Sequence, residues 1–146
     1  NLGDKLFLTI GKGDVVLPFT SVEHVVDAMH RAVTNDVAAG RIYNIVDDVE
    51  VTARRYLEKF IEVTGRDARV VGLPYFIPYL AFGTYELVSA AGILPKGITS
   101  RDQLKWKQAR VRYDTARAKN DLDWQPFVDI ESTMEATFKA HADKYY

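Results

Sequence analysis

At 146 residues the chain can build one domain with a real core, and a formal charge of −1 leaves no cationic excess for holding a polyanion. There is no cysteine, which removes disulfides, thiol nucleophiles and cysteine-ligated metals and fits a cytoplasmic protein. The opening Asn-Leu-Gly-Asp-Lys has neither the apolar segment of a signal peptide nor a methionine, so the sequence is expected to be part of a longer chain.

Residues 5–10 (Lys-Leu-Phe-Leu-Thr-Ile) predict a short strand, and Gly11-Lys12-Gly13-Asp14 a turn. A second extended run covers residues 15–19. Thr20 and Glu23 have the spacing of a capping box, and the helix behind them carries Val22, Val25, Val26, Met29 and Val33 on one face. Residues 35–40 predict a loop. Residues 41–46 (Arg-Ile-Tyr-Asn-Ile-Val) predict a strand with the mostly apolar body of one buried in a parallel sheet. Asp47, Asp48 and Glu50 follow as an acidic loop, then Thr52 as a cap. Leu57, Phe60 and Ile61 line the next helix, which Gly65 ends. With a strand over residues 68–73, the order strand-helix-strand is that of a right-handed crossover.

Residues 70–95 hold a single charged side chain, Glu86. Pro74, Pro78, Gly83, Gly92 and Pro95 interrupt the stretch, and a central Glu is costly in lipid, so a helix buried against a sheet or a partner is expected and no membrane span. Thr99 or Ser100 is placed to cap a helix over residues 101–107, and residues 111–113 are expected to be extended. Asp114 can cap a further short helix with small and apolar contacts from Ala116, Ala118 and Leu122. Trp124 then packs its ring, Pro126 stops the helix, and Asp129, with Ile130, Met134 and Phe138, starts the last one.

This ending resembles that of the extended short-chain dehydrogenase/reductases, the NAD-dependent epimerase/dehydratase family. Tyr113, Asp114, Ala118, Leu122, Trp124 and Pro126 match the family's Tyr-Asp … Leu-Gly-Trp-x-Pro pattern, with Glu131 and Thr137 in the helix beyond. Asp123 replaces the family glycine and Arg117 the usual lysine. Gly11, Gly13, Phe19 and Val22 match a second element, a hairpin and helix start beside the substrate. The resemblance implies an α/β fold: the C-terminal strands of a Rossmann-type parallel sheet plus a small mixed α/β substrate-binding lobe. Residues 1–146 would then be the C-terminal substrate-binding region, with the N-terminal dinucleotide-binding half absent.

Family chemistry needs a glycine-rich dinucleotide loop and a Tyr-x-x-x-Lys pair, and neither occurs here. Gly11-x-Gly13 lacks a third glycine and is taken as a turn. No catalytic, cofactor-binding or metal-ligating residue is therefore expected. NAD or NADP would belong to the full-length protein and not to this fragment alone. The resemblance implies the substrate-binding portion of an NAD(P)-dependent sugar-nucleotide epimerase/dehydratase-like oxidoreductase or isomerase, inactive by itself. Two alternatives stand beside it: a non-enzymatic binding or regulatory module of the same fold, and a reductase of a steroid- or isoprenoid-like hydroxyl substrate. The second is open because Leu17 stands where sugar-nucleotide epimerases often carry an arginine, and because the family's acidic helix residue falls at His24.

Leu17, Pro18, Phe19, Tyr75 and Arg101 are the expected lining of the substrate pocket. Arg101 is either a phosphate contact, for which a guanidinium fork is suited, or an ion-pair partner of Asp102 or a neighbour. Lys105, Lys107, Arg110 and Arg112 make its surroundings basic. His24 and His30, six apart on a helix, and the near-terminal His141 read as ordinary polar or helix-end histidines. The acidic loop reads as solvated, with no nearby histidine to complete a metal site. Tyr75, Phe76, Tyr79, Phe82 and Tyr85 lack interleaved basic residues, which argues against nucleic acid. The partners implied are a small-molecule substrate, a nucleotide sugar among the candidates, the missing Rossmann half, and a second copy in a homodimer.

Overall fold

β1 (Leu6–Ile10) forms a parallel pair with β4 (Arg69–Leu73), from Leu6 opposite Arg69 to Ile10 opposite Leu73. The structure is a computed structural model and describes residues 5–93, 95, 101–107, 109 and 111–145. The turn after β1 folds back over β4: Gly11 N donates to Leu73 O at 2.7 Å, and a Cβ on Gly72 would sit 2.2 Å from Gly11 O. Only glycine allows that approach. The turn then leads to β2 (Val16–Leu17), which pairs antiparallel with β3 (Val51–Thr52). The expected α/β class is the one observed, with a small parallel sheet flanked by helices.

Helix α1 (Val22–Val33) starts differently from the expected capping box. Ser21 is the cap, its Oγ accepting from His24 N at 3.2 Å, while Thr20 Oγ1 turns away to donate to Ile45 O at 2.7 Å. Its buried face is also not the valine stripe. His24 and Ala28 are buried, whereas Val22, Val26, Met29 and Val33 are mostly exposed. Within the expected loop at 35–40, Asn35 caps a 3-10 turn, Asp36–Ala38. Residues 41–46 form no strand pair, and Ile42 is 82% exposed. The parallel neighbour of β4 is β1, so the expected local crossover from residues 41–46 is replaced by one that encloses the whole span between the two strands.

Helix α2 (Ala53–Thr64) begins at Thr52, whose Oγ1 accepts from Arg55 N, and ends at Gly65 in the left-handed conformation (φ 62°). It packs against α6 (Ile130–Tyr145). Val51, Ile130, Met134 and Phe138 form the buried cluster between them, edged by Phe19, Tyr56, Phe60 and Val63. Phe138 meets the rings of Tyr56 and Phe60 edge-on at 5.0 and 5.3 Å. A second cluster joins α1 to α5 (Ala116–Leu122): Ala28, Ala118, Leu122 and Trp124, covered in part by Tyr43 and Ile45. Asp114 Oδ1 accepts from Ala116 N at 2.8 Å, and Asp129 Oδ2 from Ser132 N at 3.0 Å, the two caps expected from the sequence.

Helix α3 (Phe76–Ala90) accommodates Pro78 in its first turn, where the missing N–H has no intrahelical partner to lose. Within this chain the helix leaves apolar side chains uncovered, as the partner-facing alternative requires: Phe76, Leu80 and Leu87 are exposed, and Ser89 is its one buried residue among those described. α4 (Arg101–Lys107) packs on it. Among the described residues no helix is long and apolar enough to cross a membrane. The proposed caps Thr99 and Ser100, as well as Arg110, lie outside the described residues, as do the side chains of Lys107 and His141.

Candidate functional site

His24, in the first turn of α1, is fully buried. Its Nδ1 lies 2.5 Å from Asp47 Oδ1, and its Nε2 accepts from the backbone N–H groups of Phe127 and Val128, both at 2.9 Å. Trp124 Nε1 donates to His24 O at 3.1 Å, and the rings of Trp124 and Phe127 stand edge-on to the imidazole. A nitrogen that accepts two N–H groups carries no proton, so Nδ1 is the protonated nitrogen and donates to Asp47. One buried ring thus ties α1 to the acidic loop and to the tryptophan-proline segment. With the N–H groups of Phe127 and Val128 donating to it, Nε2 has no lone pair left for a metal or a substrate proton. What the sequence did not reveal is that Asp47 lies against the imidazole.

Asp47 leads directly to a cleft that brings together two of the expected residues, Leu17 and Pro18. The cleft, of about 170 Å³, lies between β2, the acidic loop and residues 111–115. Val16, Leu17, Pro18, Val46, Val49 and Val111 give it apolar walls, and Asp47, Asp48, Glu50, Arg112, Tyr113 and Thr115 the polar ones. The cations near it are occupied: Arg112 Nη2 is 2.7 Å from Glu50 Oε1, and Lys119 Nζ is 2.7 and 2.8 Å from the two oxygens of Asp48. Asp47 is held in place by its own N–H donating to Phe19 O at 3.0 Å.

Of the expected pocket residues, Leu17 and Pro18 line this cleft. Phe19 does not; it stacks on Tyr56 at 5.0 Å in the α2–α6 core. Tyr75 and Arg101 are together elsewhere, on α3 and α4. Tyr75 stacks on Tyr79 at 5.9 Å, and the Arg101 guanidinium lies 5.5 Å from the Tyr79 ring centre. Arg101 takes an ion-pair role, with Glu86 and not Asp102: its backbone N and Nε both donate to the Glu86 carboxylate at 2.7 Å. The Arg101 amide and guanidinium hold the Glu86 carboxyl below its ordinary range, and Glu86 in turn raises Arg101. The polar anchors on both sides of α5 are equally committed. Asp121 accepts from Arg41 and Tyr43, and burial together with that carboxylate pushes the Tyr43 phenol up.

The Gly11–Gly13 turn does not fit a dinucleotide loop. It joins two strands, and the helix N-terminus that meets it is already occupied by the turn itself, Arg54 N of α2 donating to Gly13 O at 2.9 Å. A Cβ on Gly13 would meet Arg54 Cβ and Thr9 Oγ1 at 3.0 Å, so protein already fills the space. Among the described residues no group of three or more His, Asp or Glu side chains is placed to hold a metal ion.

The fold itself has solved counterparts. RMD from Pseudomonas aeruginosa, complexed with NADPH, superposes with a TM-score of 0.59 at 18% identity, over 97% of this chain and 36% of that one. UDP-glucuronic acid 4-epimerase from Bacillus cereus, in complex with UDP-glucuronic acid and NAD, gives 0.61 at 16% identity, over 99% and 37%. The likeness is one of fold. The chain spans a little over a third of the length of these two solved chains. No protein-family model and no curated protein sequence matches it.

Proposed function

We propose that this chain is the substrate-binding portion of an NAD(P)-dependent oxidoreductase of the epimerase/dehydratase type. Residues 1–146 form one wall of the site, and a dinucleotide-binding half supplies the cofactor and the proton-transferring pair. The cleft carries the proposal, because it is built where the two resemblance-bearing elements meet: Leu17 and Pro18 from one, Tyr113 and Thr115 from the other. Its small volume supports a partial site, since complete small-molecule pockets run to roughly 300–1,000 Å³. The role of such a wall is to orient the substrate and exclude water while the chemistry proceeds on the cofactor side. By itself the chain is inactive.

Within this reading an uncharged hydroxyl substrate is favoured over a nucleotide diphosphate. Leu17 offers no cation, and Arg101 is held by Glu86 away from the cleft lining. The test is an amide-resolved NMR titration of the 146-residue chain with NADPH and, separately, with UDP-glucuronic acid and a hydroxysteroid. NADPH should leave the spectrum unchanged, whereas a substrate-class ligand should shift Leu17, Val111 and Thr115. Saturable NADPH binding, or substrate shifts confined to α3 and α4, would overturn the proposal.

A further inference from the structure

Residues 41–46 have the composition of a sheet strand but no strand beside them. Their side chains alternate as a strand's do: Tyr43 and Ile45 pack on the cluster of Ala28 and Trp124, while Ile42 and Asn44 are exposed. The backbone alternates too. Arg41 N donates to Ala38 O at 3.1 Å, Ile45 O accepts from Thr20 Oγ1 at 2.7 Å, and Asp47 N donates to Phe19 O at 3.0 Å. The odd-numbered residues are thus tied to this chain along one edge. Alternation turns the N–H and C=O groups of Ile42, Asn44 and Val46 to the other edge, and these have no hydrogen-bond partner among the described residues. A strand with one edge bonded and the other open is a template for one more strand.

We propose that residues 41–46 are a joining strand, whose open edge at Ile42, Asn44 and Val46 pairs with a strand of the dinucleotide-binding half. It rests on the reading that such a half completes the site, and adds the strand at which the two meet. An extended backbone offers donors and acceptors at the spacing this edge needs, whereas an apolar helix or a lipid surface would leave them unpaired. A second copy of this chain is the weaker fit. Two copies joined edge to edge by a twofold axis would pair antiparallel. The mostly apolar run of residues 42–46 is instead that of a parallel sheet covered on both faces, the kind a dinucleotide-binding half contains. α1 rests on the same cluster through Ala28, and its Val22, Val26, Met29 and Val33 are uncovered, the apolar face that a helix lays on a sheet. Nearly two thirds of each of the two solved chains lies outside the match, which is room for the added strands.

The test reads amide hydrogen exchange residue by residue by NMR, in the 146-residue chain and in the product of its whole reading frame, with NADPH binding recorded on the same samples. In the chain alone the Ile42, Asn44 and Val46 amides should exchange as open ones do. In the whole product they should exchange about a hundredfold more slowly. Ile42→Lys places a charge at a mostly exposed position, so the chain alone should keep its urea midpoint. In the whole product the same variant should speed exchange of these amides about tenfold, because a lysine there opposes strand pairing. A whole product that binds NADPH but leaves the three amides open, or in which Ile42→Lys changes nothing, refutes the joining strand and leaves the substrate wall standing. One that binds no NADPH refutes both. Protection that rises with concentration in the chain alone, as a dimer forms, assigns the edge to a second copy and refutes the proposal.

Discussion

Removing the imidazole of His24 is the most informative single perturbation. In His24→Ala, Asp47 Oδ1 loses its donor while the side chain stays buried at 3% exposure, and the N–H groups of Phe127 and Val128 lose their acceptor. Leaving a buried carboxylate oxygen without its donor costs about 3 kcal/mol, and each orphaned N–H about 1 kcal/mol where water can partly reach it. These terms overlap, because all three partners relax together, so roughly 4 kcal/mol is expected. That is a large share of the stability of a chain this size, on the order of 5–15 kcal/mol. With a urea slope of about 2 kcal/mol/M, the midpoint should fall by about 2 M. Urea titrations followed by far-ultraviolet circular dichroism measure it directly. The double variant His24→Ala/Asp47→Asn removes the stranded charge and should recover about half of the loss. A midpoint shift below about 0.5 M for His24→Ala, or no recovery in the double variant, would refute the buried-pair account.

Three further outcomes follow from the geometry. Asp123 ends α5 in the left-handed conformation at φ 49°, where a side chain is strained, so Asp123→Gly should raise stability by about 0.5–1 kcal/mol in thermal melts, and Asp123→Val should lower it. Val26→Lys on the uncovered face of α1 should change stability by less than about 0.5 kcal/mol yet reduce binding of an apolar-surface dye; a large loss would mean that face is packed. Glu86 titrates below the ordinary glutamate range because Arg101 favours its ionised form, so the contact between α3 and α4 is fully formed above that range and opens only as pH falls through the lowered value. The exchange rate of the Arg101 amide against pH would show it, and opening already near neutrality would contradict it.

The sequence was informative where a local rule sufficed. Thr52, Gly65, Asp114 and Asp129 act at helix ends as their side chains dictate, and Trp124, Ile130, Met134 and Phe138 are buried as their spacing requires. It misled where burial depends on a surface that is not local. The valine stripe of α1, Ile42 in the run at 41–46 and Phe76, Leu80 and Leu87 of α3 all have the pattern of covered positions, and each is open to solvent in this chain. Periodicity reports which face is apolar, not what meets it. The site showed the same division. Leu17 and Pro18 were placed from their neighbours, whereas the His24–Asp47 contact joins residues far apart in the chain and had no sequence spacing to announce it. The available signals were a histidine at a position otherwise acidic and an aspartate opening an acidic loop.

The bond from Trp124 Nε1 to His24 O closes a sequence separation of 100 residues, and the bonds from Phe127 and Val128 to His24 Nε2 close slightly more. During synthesis α1 emerges long before the segment that fixes it. Until Trp124 has left the ribosome, His24, Asp47 and the valines of α1 all face solvent or whatever binds unfinished chains. Parallel pairing of β1 with β4 imposes a similar delay at the front of the molecule. Such long-range closures slow folding and delay it until the segment from Trp124 onward is available. A stop codon or cleavage just before Trp124 would therefore remove α6 as well as leave α1 unanchored, and the quality-control machinery of the cell would meet it as an incomplete protein.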